Sequence, residues 1–101
     1  MSEMRIRQRS KYEGDEWWSW SVELDAPRDV LARVKCVIYE LHPTFPKPVR
    51  KITDRESRFR LETAGWGVFP IEARVIFKDG TEEKLKHELK LFYDDGRPNT
   101  A

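Results

Sequence analysis

Cysteine and histidine are scarce in this sequence, and net charge is almost absent. One cysteine, Cys36, excludes an internal disulfide, so packing alone must hold the fold. It sits inside a strand-like pattern and reads as a small buried hydrophobe rather than a nucleophile. Only two histidines, His42 and His87, accompany it, and no Cys/His/Asp cluster shows metal-ligand spacing. No metal and no cofactor are expected. Charged residues are dense but balanced, 19 Lys plus Arg against 18 Asp plus Glu, for a formal net charge of +1. A nucleic-acid binder needs a net basic field, which this chain lacks. No apolar run is long enough for a signal peptide or a membrane span, which predicts a cytoplasmic module with no membrane partner. Phosphate-binding glycine loops and G-x-S-x-G elbows are missing too, and the carboxylates are scattered over surface-phase positions. The expectation is a binding module, not an enzyme.

Aromatic residues are what the chain has in quantity: four Trp, five Phe and three Tyr in 101 residues. Each buries on the order of 150–250 Å², so a core without disulfides is within reach. The length fits one domain, placed over residues 1–95, with 96–101 read as a polar tail.

The dominant hydrophobic period is two. Phe69, Ile71, Ala73, Val75 and Phe77 share one strand face, with Ile76 the apolar exception on the other. Asp79-Gly80 then signals a tight hairpin, with Leu85, His87, Leu89, Leu91 and Tyr93 in phase on the return strand. A helix competes there, because Leu85, Leu89 and Phe92 also fit a helical face; the Asp-Gly turn favours the strand. Upstream, Trp18, Trp20, Val22 and Leu24 alternate with polar residues. Arg5, Arg7, Arg9 and Lys11 alternate as the solvated face of a strand. The stretch Val30–Leu41 changes phase midway, which predicts a bulge or a strand buried on both faces. Pro43, Pro46 and Pro48 make a shaped loop, followed by short strands around Val49–Thr53 and Phe59–Leu61. Seven or eight short strands in about 100 residues read as an all-β, immunoglobulin-like β-sandwich.

Two loops carry the functional signal. Gly65-Trp66-Gly67 sets the largest side chain between two residues that have none, leaving an aromatic face uncovered and the backbone approachable. It serves equally as a ligand wall or as a plug at one end of the sandwich. His42-Pro43-Thr44-Phe45 presents an imidazole, a hydroxyl and a ring on a rigid turn, with His42 placed to orient Thr44. Its plain alternative is a structural histidine beside a core phenylalanine.

Taken in order, these segments resemble the YEATS domain, a family of acyl-lysine readers. The resemblance runs from Trp17-Trp18-Ser19-Trp20-Ser21-Val22, through Val37 to Phe45 and Pro48-Val49-Arg50, to Gly65-Trp66-Gly67-Val68-Phe69 with Ile71. Phe77-Lys78-Asp79 and His87-Glu88-Leu89-Lys90-Leu91 complete it. The Asp-Gly hairpin and short ends are similar to the prokaryotic branch. The resemblance implies a pocket in which acylated lysine threads between Phe45 and Trp66. Thr44, positioned by His42, would bond the acyl amide, and backbone N–H groups around Trp66 and Gly67 would hold the acyl carbonyl. Phe69 would support the Trp66 loop. A third pocket aromatic is either Tyr12 or Trp17. The implied partner is an acylated-lysine protein or peptide, and the module would be one part of a larger sensing or regulatory protein. The competing class is a structural or protein-interaction sandwich that binds no acyl-lysine and is part of a larger regulatory or defence protein.

Overall fold

The computed structural model describes residues 4–99. Seven strands form two antiparallel sheets. One contains β1 (Arg5–Gly14), β2 (Trp17–Asp25) and β5 (Leu61–Gly65), in the order β1-β2-β5. The other contains β3 (Val34–Glu40), β4 (Val49–Ile52), β6 (Pro70–Phe77) and β7 (Glu82–Glu88), in the order β4-β3-β6-β7. The inward-facing alternates of both sheets meet in one core. Trp18, Trp20, Val22 and Leu24 of β2 face Val37 and Tyr39 of β3 and Ile71, Ala73 and Val75 of β6 across it. This is an immunoglobulin-like β-sandwich. On β1 the basic side chains point to water while Ile6 is buried, as the alternation predicts.

Two local readings need correction. Val30 and Leu31 belong not to β3 but to a short helix, α1 (Arg28–Leu31), which follows Pro27 and carries Asp29 in its first turn. The phase change comes partly from that helix and partly from a bulge between Val34 and Cys36 against β6. Phe59 is no strand residue. It is fully buried in a left-handed conformation (φ 56°), held by its own N–H to the Asp54 carbonyl at 2.9 Å and by the Tyr39 hydroxyl on its carbonyl at 2.7 Å. The Asp79-Gly80 hairpin forms as read, with Gly80 at positive φ (90°). Asp79 accepts from the Thr81 N–H at 2.9 Å and hydroxyl at 2.6 Å.

The return strand is β, not helix, and it leaves its sheet after Glu88. The Leu89 N–H still donates to the Phe69 carbonyl at 3.2 Å, and Leu89 and Leu91 remain buried. Beyond them the chain crosses to the β1-β2-β5 sheet. The Trp18 indole N–H donates to the Phe92 carbonyl at 2.8 Å, and the Tyr93 ring lies against Trp18 (4.9 Å) and Tyr12 (5.2 Å). A turn at Gly96 (φ 87°) then brings Pro98 back beside Phe92. Residues 96–99, read from sequence as tail, therefore return over the domain; residues 1–3 and 100–101 lie outside the described residues. The seam between β1 and β7 is closed by Gln8. Its amide donates to the Lys90 carbonyl and accepts from the Lys90 N–H (3.1 Å) and from His87 Nε2 (2.8 Å).

Candidate functional site

Two loops and the start of β2 converge on one cavity of about 410 Å³. The β3–β4 loop is rigid for reasons beyond its prolines. Its base is closed by the Leu41 N–H on the Pro48 carbonyl at 2.7 Å. Arg50 braces it from β4, donating to the carbonyls of Lys47 (2.5 Å) and Pro46 (2.9 Å). The β5–β6 loop enters through Gly65, the last residue of β5. A Cβ at Gly65 would lie 3.3 Å from Phe45 Cζ. This glycine answers to a close approach of the other loop's ring, not to positive φ.

All seven residues singled out from the sequence line this cavity: His42, Thr44, Phe45, Gly65, Trp66, Gly67 and Phe69. Trp66 is 60% exposed, so it stands at the rim and does not plug the sandwich. Phe45 is partly buried, with Phe69 at 5.4 Å and Trp20 edge-on at 6.3 Å between ring centroids. Phe69 packs against Phe45 and His42 (6.0 Å). The Trp66 loop is held by the Asn99 side chain, whose Nδ2 donates to the Trp66 carbonyl at 2.8 Å.

Sequence reasoning left the third aromatic between Tyr12 and Trp17. Trp17 lines the cavity and is 45% exposed, whereas Tyr12 packs on Trp18 and Tyr93 at a different place. The deciding feature is the β1–β2 turn, where Gly14, Asp15 and Glu16 all take left-handed φ (92°, 54° and 58°) beside a bulge. Nothing in the local pattern announces three such residues in a row. Pro46, Ala64 and Val68 also line the cavity, and sequence spacing had not marked them.

Hydrogen bonding assigns the polarity of the site. His42 Nδ1 accepts the Thr44 backbone N–H at 3.2 Å and lies 2.9 Å from Thr44 Oγ1. A nitrogen that accepts an N–H carries its lone pair there, so the Thr44 hydroxyl donates to it. The hydroxyl's own lone pairs then remain for an incoming N–H. No charged side chain lines the cavity. Among the described residues no group of three or more His, Cys, Asp or Glu is placed to hold a metal ion, and Cys36 is buried in β3. The lining thus offers aromatic faces, a hydroxyl with free lone pairs and no carboxylate to balance a cation.

The family model of the prokaryotic YEATS domain matches residues 18–90. The chain belongs to the prokaryotic YEATS domain family. A curated relative, the protein AF-9 homolog of Kluyveromyces lactis, is 36% identical over 77 residues, 71% of this chain and 34% of that protein. The chain thus spans about a third of that relative's length. Two solved structures of the Yaf9 YEATS domain superpose well. The Yaf9 YEATS domain bound to H3K27ac gives a TM-score of 0.69 at 25% identity, over 89% of this chain and 74% of that one. The Yaf9 YEATS domain recognizing an H3K122suc peptide gives 0.66 at 28% identity, over 87% and 68%. Both loops of the cavity lie inside the stretch that the YEATS model matches, while Trp17 and Asn99 lie outside it.

Proposed function

We propose that this YEATS domain is a reader of acylated lysine, which it takes between the rings of Phe45 and Trp66. The observation that carries the reading is the pairing of an uncharged cavity with an aromatic rim and an oriented hydroxyl. Acylation turns an ammonium into a flat amide with an apolar tail. The Thr44 hydroxyl, already donating to His42, accepts the amide N–H, and backbone N–H groups of the Trp66 loop meet the carbonyl. Stacking against each ring contributes about 0.5–1.5 kcal/mol beyond area burial. An unmodified lysine would surrender its hydration without a carboxylate in the lining to replace it. The partner is accordingly a polypeptide bearing an acylated lysine, and the module acts by binding rather than catalysis. The histone H3 peptides in the two Yaf9 structures support this class.

Titration of acetyl-, crotonyl- and unmodified-lysine peptides into the protein, followed by amide NMR, tests the proposal. Saturable shifts centred on Thr44, Trp66 and Gly67 with acyl peptides alone are expected. Equal response to unmodified lysine, or none to any acyl form, would leave the alternative of a purely structural interaction domain.

A further inference from the structure

The contact between Asn99 and the Trp66 carbonyl supports a second step, which rests on the reader reading above. Asn99 is only 9% exposed. Its backbone N–H donates to the Leu91 carbonyl at 2.8 Å, while its side-chain amide donates to Trp66. The hairpin that carries it is fastened to β2 by the Trp18–Phe92 hydrogen bond and by the Tyr93 ring. Arg97 lies over that ring at 4.9 Å, and the Tyr93 N–H donates to the Arg97 carbonyl at 2.9 Å. Asn99 is therefore delivered by a folded segment, and it lies outside the 18–90 stretch common to the family model.

A trans peptide points its carbonyl and its N–H in opposite directions, and no peptide among the described residues is cis. Trp66 and Gly67 line the cavity; Asn99 does not. Drawing the Trp66 carbonyl toward Asn99 turns the Gly67 N–H the other way. We propose that Asn99 is a positioning residue for ligand recognition, setting the plane of the Trp66–Gly67 peptide so that the Gly67 N–H faces the cavity as the donor to the acyl carbonyl. Asn99 touches no ligand itself. Its effect is to order, before binding, a loop that would otherwise lose freedom on binding.

The test is Asn99→Asp, which keeps the shape but replaces the donor with an oxygen that repels the Trp66 carbonyl. In the ligand-free protein the Gly67 amide resonance should move while resonances of β3 and β6 stay in place. Affinity for an acetyl-lysine peptide should fall about five- to tenfold, the loss expected for one well-aligned hydrogen bond. Asn99→Ala, which removes the donor without repulsion, should move the same resonance and serves if the Asp variant does not fold. An unmoved Gly67 amide in the folded variants overturns the proposal, whether or not the wild type binds. A moved Gly67 amide with unchanged affinity overturns the assignment of that N–H to the carbonyl. Failure of the wild type to bind any acyl peptide instead overturns the reader reading, and the Gly67 resonance still decides the positioning.

Discussion

Trp66 and Phe45 line the same cavity but depend on the fold to different degrees, and their substitutions should separate accordingly. Trp66 is mostly exposed. Trp66→Ala should abolish acyl-peptide binding while leaving the melting midpoint nearly unchanged, because an exposed substitution usually moves stability by within about 0.5 kcal/mol. Phe45 packs on Trp20 and Phe69. Phe45→Ala should therefore lose binding and also cost about 1–3 kcal/mol in a denaturant titration, less than for a fully buried phenylalanine. Thr44→Val keeps the shape and removes only the hydroxyl. It should weaken binding about five- to twentyfold, read by calorimetry, with His42 Nδ1 left its backbone partner. Prolines and glycines marked the two loops in the sequence, but only the resemblance to the YEATS family gave Phe45, Trp66 and Thr44 their roles. Trp17 was legible only as one of two candidates beside Tyr12, and Asn99 not at all. One is placed by a run of left-handed residues and the other by a hydrogen bond reaching 33 positions along the chain.

At the scale of elements, alternation predicted what alternation governs. β2 and β6 read correctly because every second residue enters the core, and the Asp79-Gly80 hairpin followed from one glycine at positive φ. The errors fall where another rule takes over. α1 follows a proline that sets its entry, and Phe59 is buried from a turn rather than from a strand. The period-two pattern also hides Glu23, which is only 2% exposed although it belongs to the polar phase of β2. Arg7 from β1 (2.7 Å) and Arg60 beside β5 (3.1 Å) close on it from either side, so one carboxylate joins all three strands of the sheet. Burial alone would raise the Glu23 carboxyl; the hydrogen bonds from Arg7 and Arg60, with their charges, outweigh burial and hold it below the ordinary carboxylate range. Glu23→Gln should cost about 1–3 kcal/mol in chemical denaturation, since it removes hydrogen bonds to a buried charged acceptor.

The whole molecule should be sensitive to acid in two stages. His87, held by Gln8 at the seam, is kept below its ordinary value of 6.5 by burial first and by the charge of Lys90 second, against an opposing pull from Glu88. The unfolded chain takes up that proton more readily, so the contribution is intact above about pH 6.5 and lost as the pH falls through the folded value. Glu23 follows the same sign at lower pH. Its contribution is present above about 4.5 and lost as the pH falls through its depressed folded value. A thermal melting series should show stability rising from acid toward neutral pH, and Glu23→Gln should flatten the lower limb while sparing the upper. Closing the sandwich at this seam and at the crossing segment after Glu88 ties the sheets together, and that same crossing carries the contacts leading to the Trp66 loop.

The central claim is that an acylated lysine lies between Phe45 and Trp66, and it is tested most directly by locating the acyl group itself. A peptide with a ¹³C-labelled acetyl methyl on its lysine, added to the protein, should give intermolecular NOEs to the ring protons of both residues. NOEs to neither ring from a bound peptide, or NOEs to the outer strand faces alone, would contradict it.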